Sequence, residues 1–103
     1  MRSAAMAFLL FALPAAAADL PPGRAAELER LVLQDCGSCH GLTLKGGLGP
    51  DIRAGTLAGT PPESLAHIVL QGVPGTPMPS WHPLLNEAEA QWIAEFLLKG
   101  GAP

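Results

Sequence analysis

Positive charge is scarce in this 103-residue chain, with six Lys and Arg against nine Asp and Glu. Nucleic-acid binding rests on clustered Lys and Arg, and here the six are scattered, which argues against that class. Strand patterns are missing as well. No stretch shows sustained period-two alternation, so a sheet with one wet face is not expected. Cysteine occurs only at Cys36 and Cys39, and no second Cys/His cluster exists to complete the four-ligand set of a structural zinc site. Lys45-Gly46-Gly47 lacks the G-K-[ST] ending of a phosphate loop. One long apolar run exists, at residues 4–13, and Pro14 and Asp19 interrupt it before the roughly 20 residues that a membrane span needs.

That run has a different layout. Arg2, the apolar stretch and then Ala16, Ala17 and Ala18 follow the order of a secretory signal with a small-residue cleavage site. The expectation is a leader over residues 1–18, cut before Asp19, and a single domain over residues 19–103. The alternative, an uncleaved anchor, fits the interrupted run less well. Without the leader and its Arg2 the formal charge moves from −3 to −4. An acidic carrier is steered towards basic docking patches, although the same balance also suits a solvated surface with no partner.

Beyond residue 18 the aromatic side chains are Trp81, Trp92 and Phe96 alone, while all 12 glycines and ten of the 11 prolines remain. A domain this small buries a low fraction of its surface and usually needs a staple, a metal or a cofactor. A large apolar cofactor at the centre of the core explains the composition economically.

Three helices are expected. Over residues 24–35, Ala25, Leu28, Leu31 and Val32 recur at helical spacing, with Arg24, Glu27 and Arg30 on the other side. Residues 41–59 have no clean period and read mostly as loop. A second helix opens at Thr60-Pro61-Pro62-Glu63, where Thr60 and Glu63 have capping-box spacing and Pro61 suits the first position. Leu65, Ile68 and Val69 form its apolar stripe, and Gly72 stops it. Four prolines at positions 74, 77, 79 and 83 then stiffen an extended loop. The last helix starts at Asn86 with Glu89 at the capping-box position, and Ala90, Ile93, Phe96 and Leu97 form its inner face. The fold class is therefore all-α, three main helices with long loops. Loops this long need something to wrap.

Cys36-Gly37-Ser38-Cys39-His40 is C-x-x-C-H, the signature of c-type haem attachment. Two thiols three positions apart can add to two vinyl groups on one haem edge, and the next imidazole then falls beneath the iron. A thiol–disulfide motif normally starts a helix in a βαβ setting, whereas this one follows a helical pattern in a chain without strands. One covalent haem c on Cys36 and Cys39, with His40 on the iron, is the expectation. Met78 is the sole methionine beyond the leader and lies in the proline loop, so it is the candidate for the sixth position. His82 and His67 are its rivals. With both axial positions filled by protein, no substrate binds the metal. That makes the chain an electron-transfer protein and not an enzyme, with small transient contacts to its partners.

On these motifs the chain resembles the class I monohaem cytochromes c. The resemblance implies that the first and last helices cross, packing Leu28 and Leu31 near Trp92, Ile93 and Phe96. It also implies that the Pro50 carbonyl of Gly49-Pro50 accepts from His40 Nδ1–H and orients the ring. A narrower likeness rests on residues 27–50, on Pro74-Gly75-Thr76-Pro77-Met78-Pro79 and on Glu87-Ala88-Glu89-Ala90. These are similar to the NirC-type cytochromes, small periplasmic proteins encoded beside the haem c/haem d nitrite reductase of denitrifying bacteria. That likeness implies a periplasmic carrier whose partner is nitrite reductase or another periplasmic redox protein. A second role it suggests is service in maturing the reductase's special haem.

Overall fold

The computed structural model describes residues 20–101 together with Ala5 and Ala7. The expected leader, those two alanines apart, and the cleavage point before Asp19 lie outside the described residues. The elements are α1 (Arg24–Leu31), a π-helical turn (Val32–Cys36), α2 (Gly37–His40), α3 (Ala54–Leu57), α4 (Pro62–Gln71) and α5 (Glu87–Leu98). The fold is all-helical, and no strand occurs among the described residues.

The first helix runs further than its apolar pattern predicts. It passes through the π turn without a break and carries the whole C-x-x-C-H motif on its final turns, ending where Gly41 turns to φ 90°. Gly37 and Ser38 are weak helix formers, which is why the pattern alone stops at residue 35. Tertiary contact compensates, because Gly37 is buried beside the Leu42 backbone.

The expected capping box at Thr60 is absent. The helix begins one residue later, with Pro62 in its first turn and Pro61 as its N-terminal boundary, and no side chain caps it. Thr60 N–H, the donor that the Glu63 side chain would serve, goes to Leu57 O at 3.0 Å. The Pro61 carbonyl instead takes the N–H groups of Ser64 (3.0 Å) and Leu65 (3.3 Å). At α5 the box is complete: Asn86 Oδ1 accepts from Glu89 N–H at 2.8 Å, and the Glu89 carboxylate accepts from Asn86 N–H at 3.0 Å.

The core joins Leu28 and Val32 to Ala66 and Leu70 of α4 and to Ala90, Ile93, Ala94 and Leu97 of α5. Each fully buried Leu, Ile or Val is worth about 1.5–3 kcal/mol of transfer free energy. Leu44 from the loop is fully buried too, at φ 61°. The stripe Leu65, Ile68 and Val69 is not the face of α4 that meets α5. Ala66 and Leu70 take that place, while the stripe turns to a cavity. Phe96 is half-buried and stacks on Trp92 with centroids 4.9 Å apart.

Candidate haem site

The loop after α2 is fastened to the end of that helix. Its last carbonyls have no helical partner and accept from loop N–H groups, His40 O from Gly46 at 2.8 Å and Cys39 O from Gly49 at 2.8 Å. This fastening lays Gly49 and Pro50 against the imidazole. His40 Nδ1 lies 2.7 Å from the Pro50 carbonyl. A carbonyl can only accept, so Nδ1 carries the proton and Nε2 is left with its lone pair. Gly49 lets the chain come this close, since a Cβ there would stand 2.8 Å from His40 Cε1 and Nδ1.

On the far side, Gly72 ends α4 at φ 68°. The returning proline loop crosses directly over it: a Cβ on Gly72 would meet Pro79 C at 2.7 Å and Met78 O at 2.8 Å. Sequence reasoning reaches Gly72 only as a helix stop, because the crossing joins segments that no local pattern relates. The loop is pinned by Val73 N–H to Met78 O (3.2 Å), Thr76 Oγ1 to Val73 O (2.7 Å) and Trp81 N–H to Val69 O (3.1 Å).

Between these walls lies a cavity of about 800 Å³. Cys36, Cys39, His40, Gly49 and Pro50 line it, and so do Met78, Pro77 and Pro79. Leu57, Leu65, Ile68, Val69, Trp81, Ile93 and Leu97 complete an apolar surround. His67 and His82 are exposed and lie outside this lining. Neither cysteine is in a disulfide. No group of three or more His, Cys, Asp or Glu that could hold a metal ion occurs among the described residues.

Burial, with help from the Asp35 carboxylate, pushes the Cys36 thiol up to about 11, so an unattached Cys36 stays protonated at neutral pH. Asp51, also in the cavity lining, takes four hydrogen bonds from Arg53, three from the side chain and one from the backbone. Side-chain and backbone bonds together hold its carboxyl well below the usual carboxylate range. The pair is not visible as a site in the sequence, although D-x-R spacing is its only trace. Two thiols, an imidazole and a thioether lining one cavity with an apolar surround fit a covalently attached haem.

The comparisons with known proteins agree. The family model described as cytochrome c oxidase, cbb3-type, subunit III matches residues 23–97. Cytochrome c55X of Paracoccus denitrificans (strain Pd 1222) is 53% identical over 98 residues, covering 93% of this chain and 95% of that protein. The solved c-type cytochrome NirC is 50% identical with a TM-score of 0.78, over 82% of this chain and 100% of that one. A structure of the dihydro-heme d1 dehydrogenase NirN in complex with DHE is 32% identical with a TM-score of 0.63, over 73% of this chain and 16% of that one. The chain belongs to the monohaem c-type cytochromes, close to cytochrome c55X and NirC. It is an electron carrier rather than an enzyme. No helix among the described residues is long and apolar enough to cross a membrane.

Proposed function

We propose that this protein is a periplasmic one-electron carrier that donates to the haem c/haem d nitrite reductase of denitrification. Cys36 and Cys39 would hold one haem c through thioether bonds, and His40 and Met78 would offer a nitrogen and a sulfur to its iron. The observation that supports this reading is that these four side chains line one largely apolar cavity.

When bound, the haem supplies an iron that changes by one electron. His40 offers Nε2 because Pro50 holds its other nitrogen. Met78 offers a thioether, which favours the reduced metal relative to an anionic ligand. The apolar lining excludes water, and the Asp51 carboxylate at the wall is neutralised by its ion pair with Arg53. Residues 1–18 serve as a cleaved export leader, so protein recovered from the periplasm should begin at Asp19, as intact mass measures.

The test is anaerobic stopped-flow mixing of the reduced holoprotein with oxidised haem c/haem d nitrite reductase, following the α-band. Rapid oxidation supports the donor role. A haem that stays reduced overturns it and leaves the cytochrome assignment intact.

A second reading, service in maturing the reductase's special haem, draws support from the similarity to a dihydro-heme d1 dehydrogenase. A deletion strain separates the two. Reductase with its full haem complement but slow turnover favours donation, and reductase lacking the special haem favours maturation.

A further inference from the structure

The face through which this protein meets its redox partner carries no formal charge, and we infer that the partner presents an equally uncharged, apolar surface over its electron entry. Residues 64–86 contain no Asp, Glu, Lys or Arg, and every charged side chain of residues 20–101 lies at 24–63 or 87–99. The neutral run is one continuous feature of the fold. From it Leu65, Ile68, Val73, Met78 and Trp81 form part of the wall of the cavity that Cys36, Cys39 and His40 also line. Ile68 and Val73 are 42% and 40% exposed at that wall. Leu84, 68% exposed, lies outside the lining but donates its N–H to the O of Trp81, which does line it, at 2.9 Å. The carboxylates in the cavity lining, Asp35 and Asp51, come from outside this run.

The formal charge of −3 alone points to a basic partner. The distribution points elsewhere. A charged partner group pressed on this rim loses water and finds no counter-charge, which is costly. The centres of protein interfaces are depleted of charge for the same reason, and redox contacts are small enough to fit inside the rim. The acidic residues lie away from this contact, where their field on the partner is weak and little is left for salt to screen. This inference rests on the carrier reading above and names the chemistry of that carrier's partner.

The test uses the reduced holoprotein and nitrite reductase at pH 8, with NaCl varied from about 0.02 to about 0.5 M. The second-order rate constant should change by less than about twofold across that range, because no rim charge contributes to it. Leu84→Glu should slow the reaction about tenfold or more and make it salt-dependent, with the absorption spectrum and potential unchanged. Leu42→Glu, at a side chain 77% exposed but outside both the cavity lining and the uncharged run, should stay within about twofold of the parent. A tenfold fall with salt in the parent protein, or an unaffected Leu84→Glu, overturns the inference. If the reductase does not oxidise the parent at all, the donor reading fails separately. The face is then read with hexacyanoferrate(III), an anion that takes one electron. Slower oxidation of Leu84→Glu than of Leu42→Glu supports the neutral face, and equal rates overturn it.

Discussion

Arg24 Nε donates to the Glu89 carboxylate and ties the start of the first helix to the start of the last, across 65 positions of sequence. The same carboxylate closes the α5 capping box, and Glu89 is 9% exposed. Arg24 also reaches Glu27 at 2.8 Å. Burial raises the Glu89 carboxyl, but hydrogen bonds from Asn86 and Arg24 outweigh it and leave it below its ordinary value. A carboxyl lowered on folding adds stability that is complete above its unfolded value, about 4.3, and is lost as pH falls through the folded value. Glu89→Gln keeps an acceptor for the cap but removes the charge. It should cost about 1–2 kcal/mol at pH 7, and its stability should converge with that of the parent in acid. Thermal unfolding of the two holoproteins between about pH 3 and pH 7 checks this. Parallel curves over the whole range would show that the charge contributes nothing.

Gly49→Ala tests the fastening of His40. A Cβ 2.8 Å from Cε1 and Nδ1 forces the ring or the loop aside and lengthens the 2.7 Å bond to Pro50. Overpacking of this kind costs about 1–3 kcal/mol. The variant should lose stability by about that amount, and its midpoint potential should move, because the imidazole loses its partner. An unchanged potential would mean that the Pro50 carbonyl has no electronic influence through His40.

Gly72 and Gly75 separate two effects that glycine can have. Both sit at positive φ, 68° and 82°, so alanine is strained at either, by about 1 kcal/mol. Only Gly72 lies under the loop; a Cβ at Gly75 meets nothing within 4 Å. Gly72→Ala should therefore displace the Met78 segment and weaken the sulfur-to-iron charge-transfer band, whereas Gly75→Ala should leave the band alone. Equal loss in both variants would assign the effect to backbone strain.

These positions show where sequence reading succeeds and where it stops. C-x-x-C-H, the Asn86–Glu89 box and the proline loop are local, so residue type and spacing carry them. The class of fold follows, because three helical patterns and long loops leave one architecture. Arg24–Glu89 is invisible in sequence because the two groups meet only after folding. The role of Ile68 is hidden for a different reason. An apolar stripe looks the same whether it faces another helix or a cofactor, and only the placement of Ala66 and Leu70 against α5 shows that this stripe faces the cavity. The failed cap at Thr60 is a local miss: the S/T-x-x-E pattern is present, but the helix starts one residue later and Thr60 N–H donates to Leu57 O instead.

The sixth ligand is the sharpest remaining test, because Met78 and His82 are four residues apart in one loop. Their surroundings differ. Met78 is half-buried in the cavity lining, and its carbonyl is pinned by Val73 N–H. His82 is exposed outside that lining, with its N–H turned to Leu70 O at 3.3 Å and Ser80 Oγ at 3.4 Å. For His82 to reach the cavity, the contacts that hold Trp81 and Ser80 to the end of α4 must break, among them Ser80 Oγ to Leu70 O at 2.5 Å. Met78→Ala should thus abolish the charge-transfer band and lower the potential, since a thioether favours the reduced iron. His82→Ala should leave both unchanged. The opposite pattern, a band that survives loss of Met78 and a potential that moves with His82, would transfer the ligand role to the histidine.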